Sequence, residues 1–245
     1  PACVGGVCVR VCVCVCVCVC VSAVRGARSV EWDVREDECV LRAALGAPDE
    51  VPVAAAARPE LPTGPLTSET VAQALGALMP ENAVVVDEAN TSGLFIPGAT
   101  AGAPRHDWLC LTGGAIGIGI PLATGAAVAC PDRQVLCLEA DGSAMYTLQA
   151  LWTQVREQLD VITVIFANHS YAVLNMELNR VGAASVGPKA LKMLDLTGPT
   201  LDFVSLAQGM GVAATRATTS EEFVEQLQAA LPAGGPRLIE AVVPP

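Results

Sequence analysis

Apolar positions recur at two spacings along the second part of the chain, and the two spacings alternate. Apolar residues three or four positions apart predict helices, whereas unbroken β-branched runs bounded by turn residues predict buried strands. The predicted helices cover residues 67–78, 120–130, 143–158, 202–208 and 219–231, and the predicted strands cover residues 83–86, 134–139, 161–166 and 238–243. Thr219 and Glu222 predict a capping box on the last helix. Strands that alternate with helices favour an α/β fold, in which a parallel sheet carries helices on both faces.

The first part of the chain has a different composition and divides into two segments. Residues 1–30 are a low-complexity segment in which valine and cysteine alternate, and we expect it to be disordered. Its cysteines lack the Cys-x-x-Cys spacing of typical metal sites. Residues 31–65 predict a short helix followed by a Pro/Ala-rich linker, and residues 66–245 predict the organised domain.

The chain begins with Pro1 rather than Met, so we expect a fragment of a longer protein. The sequence leaves open whether its Val/Cys repeat is real protein or a gene-model artefact. Residues 11–21 are apolar but too few to span a bilayer, and no signal peptide is recognisable. We therefore expect no membrane association and a soluble intracellular protein, with cytoplasm and organelle both open.

The formal net charge of −11 argues against one class of partner and leaves another open. Binding of nucleic acid needs clustered Lys and Arg, so we expect no nucleic-acid partner. An anionic cofactor remains compatible with this charge, because Mg²⁺ and helix N-termini supply positive potential locally.

Two polar residues follow predicted strands at a spacing that suits a metal site. Asp141 comes just after the strand at 134–139, and Asn168 follows the strand at 161–166, 27 positions further along the chain. Because the carboxyl ends of parallel strands meet at one edge of a sheet, we expect the two side chains to lie close together. With the main-chain carbonyl of Ser170, they would supply three hard oxygen ligands for Mg²⁺ beside a diphosphate.

The residues next to Asp141 suit a phosphate group. Gly142 lets the main chain approach a phosphate, the hydroxyl of Ser143 donates to it, and the N-terminus of the following helix favours an anion. A purely structural alternative remains open. In it, Asp141 or Ser143 is an ordinary helix N-cap, and the residues around Asn168 form a strand-to-helix turn. His169 in that turn has no assigned chemistry, and we expect it to face solvent.

A glycine-rich segment at residues 111–121 is the third candidate element. Four glycines in seven residues permit close approach of the main chain to a ligand. The segment does not fit a dinucleotide fingerprint, because the G-x-G-x-x-G spacing fails after Gly119 and no strand is predicted before it. This disfavours a flavin or nicotinamide dinucleotide binder. The alternative is a glycine-packed loop that enters the helix at 120–130.

The three elements together resemble the cofactor-binding (PP) domain of thiamine-diphosphate enzymes. In that family a Gly-Asp-Gly element is followed, at about this distance, by Asn-Asn, and here Asp141-Gly142 and Asn168 match it. The resemblance covers about residues 60–245 and is greatest to acetolactate synthase-like large subunits. Three positions depart from the family pattern, because alanine replaces glycine, asparagine and a frequent glycine at positions 140, 167 and 172 respectively.

The resemblance also implies roles for further residues. It implies thiamine diphosphate and Mg²⁺ as cofactors, with Asp141, Asn168 and Ser170 as the metal ligands. The remaining residues implied to contact the cofactor are Asn90 and Thr91 at the diphosphate, Gly142 and Ser143 beside it, Gly114 through its carbonyl at the aminopyrimidine, Ile116 beneath the bent cofactor, and Val173 near the ring.

The activating glutamate of this family lies on a separate PYR domain of the same or a neighbouring subunit. The resemblance therefore implies no catalytic residue in this chain, an active full-length parent that forms or cleaves C–C bonds of 2-oxo acids, and a homodimer or homotetramer. The isolated chain is expected to be inactive. Two alternatives remain open: a non-catalytic fragment that keeps the fold, and a parent of the 2-hydroxyacyl-CoA lyase or 2-oxo acid decarboxylase type. The substrate and acceptor cannot be predicted from this sequence.

Overall fold

The computed structural model describes residues 57–182 and 187–245. The Val/Cys segment at 1–30, the helix predicted within residues 31–50 and the first part of the predicted linker lie outside the described residues.

The centre of the domain is a six-stranded sheet in which every neighbouring pair is parallel. The strand order is β2-β1-β3-β4-β6-β5. The strands are β1 Val84–Glu88, β2 Asp107–Cys110, β3 Val135–Ala140, β4 Val161–Ala167, β5 Ala213–Ala217 and β6 Arg237–Val242. The predicted α/β fold with a parallel sheet is confirmed.

Helices cover both faces of this sheet. They are α1 Ser68–Leu78, α2 Ile96–Thr100, α3 Gly119–Ala129, α4 Asp141–Thr147, α5 Ala150–Arg156, α6 Ala172–Arg180, α7 Pro188–Met193, α8 Phe203–Gly209 and α9 Ser220–Ala230. Short 3-10 turns lie at Asn90–Gly93 and Thr112–Gly114. None of the helices in the described part of the chain is long and apolar enough to cross a membrane.

Alternate residues of each central strand enter two separate apolar cores. On β1, Val85 packs in the core that contains α1 and α9, whereas Val84 and Val86 pack in the core that contains α3, α5 and α8. Side chains of a strand point to opposite faces in turn, so a strand buried on both faces is an unbroken apolar run. This arrangement explains why the central strands were recognisable in the sequence.

Local signals fix several helix ends. The predicted capping box of α9 is confirmed, since Thr219 accepts from the N–H of Glu222 and the Glu222 side chain accepts from the N–H of Thr219. A second capping box joins Thr67 and Thr70 at the start of α1. These bonds satisfy N–H groups that a helix leaves free at its first turn.

The single helix predicted at 143–158 is wrong, because the structure has two helices there. α4 ends at Thr147 and α5 begins at Ala150. Between them the N–H of Leu151 bonds to the carbonyl of Leu148, and the N–H of Trp152 bonds to that of Gln149. These i to i+3 bonds tighten the chain and interrupt the α-helix. Apolar spacing alone does not reveal such a change, because the buried residues keep helical spacing across it.

The expectation that no strand precedes the glycine-rich segment is also wrong. Strand β2 ends at Cys110, directly before that segment, and pairs with β1. Strand β5, which pairs with β6 at the other end of the sheet, was not predicted either. Both are edge strands and are only partly buried, so they lack the apolar runs of the central strands.

Residues 57–65, within the predicted linker, make side-chain and main-chain contacts to the domain. The guanidinium of Arg58 donates to the carbonyl of Met79 at 2.6 Å. The N–H of Gly64 donates to a carboxylate oxygen of Glu221 at 2.8 Å, and the hydroxyl of Ser220 donates to the carbonyl of Pro65 at 3.0 Å. These bonds attach the segment to α1 and α9.

Candidate functional site

Three loops meet at the carboxyl edge of the sheet because they follow three neighbouring strands, β1, β3 and β4. The side-chain amide of Asn90, after β1, donates to the hydroxyl of Ser143, after β3, at 2.9 Å. The amide of Asn168, after β4, donates to the hydroxyl of Ser92 at 3.4 Å. The structure therefore brings together the residues predicted at positions 90, 141–143 and 168–170.

Asp141 is buried in the middle of this arrangement, with only 2% of its surface exposed. It is the first residue of α4, and one carboxyl oxygen accepts from the N–H of Gly142 at 2.8 Å. The other oxygen accepts from the N–H of His169 at 2.6 Å. Burial raises the pKa of Asp141, and these N–H donors oppose that rise only in part. A cation at this position would favour the ionised carboxylate.

The turn at residues 168–170 is held by a hydrogen bond within the turn and by another from Leu196. Asn168 is 7% exposed, and its side-chain oxygen accepts from the N–H of Ser170 at 3.0 Å. His169 has a left-handed φ of 56°, and its carbonyl accepts from the N–H of Leu196. His169 is half-buried rather than fully exposed to solvent. Rare backbone conformations of this kind persist where surrounding bonds fix them.

Residue 142 must be glycine because the ring of Tyr171 lies close to its main chain. A Cβ at this position would lie 2.5 Å from the ring of Tyr171, so no other residue fits without movement of that ring. The alanines that depart from the family pattern meet no such demand. Ala140 has an extended conformation with φ −78°, Ala167 lies in β4, and Ala172 begins α6. These are conformations that alanine adopts freely.

The glycine-rich segment forms a loop between β2 and α3 at the same edge. Residues 112–116 are exposed, and Gly114 has a left-handed φ of 73°. Ile116 on this loop and Val173 in the first turn of α6 are each 46% exposed. Thr91 lies in the 3-10 turn after β1, partly exposed beside Asn90. The structure thus places the predicted diphosphate and ring residues at one edge of the sheet.

Two buried glutamates lie beneath this loop, and the sequence reasoning missed both. Glu88 ends β1, and Glu139 lies opposite it in the register of β3. The carboxyl oxygens of Glu88 accept from the N–H groups of Gly117 and Gly119, each at 2.5 Å. Burial and the charge of Glu88 raise the pKa of Glu139 to about 10. An acidic residue at the end of each of two adjacent buried strands was the available signal.

Across residues 57–182 and 187–245, no three or more His, Cys, Asp or Glu side chains are grouped so as to hold a metal ion. The predicted ligand set has a different chemistry, because it combines one carboxylate with a carboxamide oxygen and a main-chain carbonyl. Such a set of hard oxygen donors suits Mg²⁺, which commonly keeps only one or two protein carboxylates and binds phosphate oxygens as well.

Residues 98–241 match the family described as thiamine pyrophosphate enzyme, C-terminal TPP binding domain. The chain belongs to this family, and the resemblance drawn from Asp141-Gly142 and Asn168 is confirmed. The fold and the family match define a thiamine pyrophosphate-binding domain, and thiamine pyrophosphate is the same compound as thiamine diphosphate.

Individual relatives come from two groups. IlvX of Mycobacterium tuberculosis, provisionally named as an acetolactate synthase large subunit, is 64% identical over 194 residues, covering 79% of this chain and 38% of that protein. Benzoylformate decarboxylase of Pseudomonas aeruginosa is 35% identical over 181 residues, covering 72% of this chain and 32% of that protein.

Among solved structures, the thiamine diphosphate-dependent 4-hydroxybenzoylformate decarboxylase of Rhodococcus jostii RHA1 superposes with a TM-score of 0.69 at 28% identity. The match covers 91% of this chain and 42% of that one. This chain therefore spans less than half the length of each of these three relatives.

Proposed function

We propose that this chain is the cofactor-binding domain of a thiamine-diphosphate- and Mg²⁺-dependent enzyme that forms or cleaves C–C bonds of 2-oxo acids, similar to acetolactate synthase. The observation that carries the proposal is the buried Asp141, which accepts an N–H from the same turn that contains Asn168. The family match over residues 98–241 supports it.

Asp141, Asn168 and the carbonyl of Ser170 are the proposed Mg²⁺ ligands. All three supply oxygen, and their loops are joined by the bond from the His169 N–H to Asp141. The carbonyl next to that of Ser170, on His169, is already bonded to the N–H of Leu196. A bound cation would offset the cost of burying Asp141.

The diphosphate is proposed to lie between the loops after β1 and β3. Gly142 lets the main chain approach it, and Ser143, Asn90 and Thr91 are the proposed donors. The side-chain amide of Asn90 donates to the hydroxyl of Ser143 at 2.9 Å, so each polar group is satisfied while remaining at the loop surface or just beneath it.

The ring end is proposed to contact the glycine-rich loop and α6. The carbonyl of Gly114 accepts from the amino group of the aminopyrimidine, while Ile116 and Val173 pack against the cofactor. Thiamine diphosphate supplies an electron sink for the electron pair released when a C–C bond next to a carbonyl breaks. The residues of this chain bind and orient the cofactor.

A PYR domain, from the same or a neighbouring subunit, is the proposed partner, and the full-length protein is proposed to be a homodimer or homotetramer. Large exposed apolar side chains at or near this edge support a covering partner, and they include Leu94, Phe95, Ile116, Tyr146 and Leu174. The activating glutamate is assigned to that partner, so the isolated chain is proposed to be inactive.

A 2-oxo acid decarboxylase is the second candidate for the parent. The relatives described as benzoylformate and 4-hydroxybenzoylformate decarboxylases favour it, at 35% and 28% identity. A carboligase and a decarboxylase use the same cofactor-binding domain, so the assignment of Asp141 and Asn168 does not depend on this choice.

Calorimetry tests the ligand assignment. The full chain is titrated with thiamine diphosphate in the presence and absence of Mg²⁺, and the same titration is run on Asp141→Ala. We expect Asp141→Ala to lose the Mg²⁺-dependent affinity. Asp132→Ala, an exposed aspartate in the turn after α3, is the matched control and keeps it. Equal affinity in wild type and Asp141→Ala would contradict the assignment.

A further inference from the structure

Glu88 makes a two-point contact with the main chain of the glycine-rich loop. Its side chain is 2% exposed, and its two carboxyl oxygens accept from the N–H groups of Gly117 and Gly119. Gly119 is the first residue of α3. The helix has no side-chain cap from its own N-cap residue, Ile118. Glu88 therefore satisfies an N–H of the first helical turn from a neighbouring strand, where a negative group also suits the helix dipole.

The loop is held from a second direction as well. The hydroxyl of Thr147, at the end of α4, donates to the carbonyl of Gly117 at 2.7 Å. Gly117 therefore has both its N–H and its carbonyl bonded to side chains from other elements. Its φ of 84° is left-handed, and a Cβ there would lie 2.5 Å from Cβ of Tyr146. The anchor point is thus fixed in position and in conformation.

The part of the loop that lies before this anchor is exposed. Gly113 and Gly114 have left-handed φ values and nothing within 4 Å of a Cβ built on them, and Ile116 directly precedes Gly117. A glycine-rich segment has high conformational entropy when nothing holds it. Its position therefore depends on the bonds at its end.

We propose that Glu88 is a positioning residue of the cofactor site: its carboxyl group caps α3 and fixes the glycine-rich loop, so that the Gly114 carbonyl and the Ile116 side chain are in place before the cofactor binds. This inference rests on the proposed function. Preorganisation of this kind raises affinity because less ordering entropy is lost on binding. Loss of Glu88 would leave two buried N–H groups without their acceptors.

Glu139 packs against the same anchor from the next strand. Its carboxyl group lies against the Cα of Gly119, so closely that a Cβ on Gly119 would clash with it. The pair of glutamates thereby forms a platform under the start of α3. Glu88 alone bonds to both main-chain N–H groups, so the positioning role belongs to Glu88.

The first test measures amide exchange in the loop by hydrogen–deuterium exchange with mass spectrometry. It uses the 245-residue chain without cofactor. The variants are Glu88→Ala, Glu88→Gln and the control Glu240→Gln, which alters a buried glutamate on β6 that pairs with Arg216 instead. We expect peptides covering residues 112–119 to exchange at least roughly tenfold faster in Glu88→Ala, because the hydrogen bonds from the N–H groups of Gly117 and Gly119 are lost. Glu88→Gln, which keeps one acceptor, is expected between Glu88→Ala and wild type.

Glu240→Gln is expected to leave exchange of residues 112–119 at the wild-type rate, even if it lowers stability. Glu88→Gln has the volume of the original side chain and decides the test if Glu88→Ala fails to fold. Wild-type exchange of the loop in a folded Glu88 variant would overturn the anchoring role.

The second test measures affinity for thiamine diphosphate with Mg²⁺ by calorimetry on the same proteins, at a temperature where all are folded. We expect roughly tenfold weaker binding in Glu88→Gln and unchanged binding in Glu240→Gln. Wild-type affinity in a Glu88 variant whose loop exchanges rapidly would overturn the positioning role. No binding by the wild-type chain would count against the proposed function and the positioning role together, whereas the exchange result on the loop would still stand.

Discussion

The two halves of the proposed cofactor site, at the diphosphate and at the ring, are built in different ways. At the diphosphate half, buried side chains from three loops bond directly to one another and to the N–H groups of neighbouring turns, as the contacts of Asp141 and Asn168 illustrate. At the ring half, the exposed loop at 112–116 presents a main-chain carbonyl and an apolar side chain, and the buried carboxyl group of Glu88 bonds to the N–H groups of Gly117 and Gly119 just after it.

This difference indicates that the two halves depend differently on a partner domain. The proposed diphosphate half has its polar groups bonded to one another within one chain. The ring half has large apolar side chains such as Ile116 and Phe95 about half exposed, a pattern typical of a surface that another domain covers. Binding of the diphosphate and chemistry at the ring are therefore expected to respond differently to changes in the chain.

The largest effect is expected from the proposed PYR-domain partner. A pyruvate turnover assay on the isolated chain should give no turnover above background. Addition of a separately expressed PYR domain from a close relative should raise the rate, because proton transfer by a positioned acid or base contributes on the order of 10²–10⁴-fold. The mixture with Asp141→Ala serves as the control and should stay at background. Turnover by the isolated chain would show that the ring half is complete without a partner.

A change in stability is expected from the carboxyl pair under the ring half. The pKa of Glu139 is raised to about 10 by burial and by the charge of Glu88. The folded state thus keeps a proton that the unfolded state loses above its ordinary pKa, so Glu139 lowers stability as pH rises from about 4.5 to about 10. We expect Glu139→Gln to stabilise the chain at pH 7 by on the order of 3 kcal/mol and to leave stability at pH 4 nearly unchanged.

Urea unfolding of wild type and Glu139→Gln at pH 4, 7 and 9 checks this, in the presence of reductant. Glu240→Gln is the matched control, because it removes the partner of Arg216 at 2.9 Å and should lower stability instead. A constant difference between wild type and Glu139→Gln at all three pH values would contradict the assignment of this pH dependence to Glu139.

The smallest effect is expected from the start of the chain. Deletion of residues 1–55 retains Arg58 and Gly64, whose bonds to Met79 and Glu221 attach the following segment to the domain. We expect the thermal midpoint of the deleted chain to equal that of the full chain within error, and cofactor affinity to be unchanged. A midpoint lower by several degrees would show that residues 1–55 contribute to the stability of the domain.

The sequence predicted the diphosphate half better than the ring half for a physical reason. Asp141 and Asn168 follow buried strands that are continuous apolar runs, so residue type and spacing were sufficient to predict that they lie at one edge of the sheet. Glu88 accepts from two main-chain N–H groups of a distant loop, and Glu139 packs against Gly119 at the end of that loop. No sequence pattern reports which N–H groups a buried carboxyl reaches, because that depends on the register of β1 and β3.

The fold shows the same contrast between its centre and its edges. Strands β1, β3, β4 and β6 are buried on both faces and were all predicted. Strand β2 contains Asp107 and Trp108, and β5 contains Arg216, so neither resembles a buried strand in sequence. Their positions are set by pairing with β1 and β6, which is tertiary information.

The packing of Glu139 against Gly119 couples two positions that lie far apart in the chain. A side chain at residue 119 would clash with carboxyl oxygens of both Glu139 and Glu88, although the helical backbone there would itself accept alanine. A larger residue at 119 therefore needs space from both glutamates. In directed evolution of this domain the codons for residues 88, 119 and 139 should be randomised together, because residue 119 searched alone yields mostly clashes.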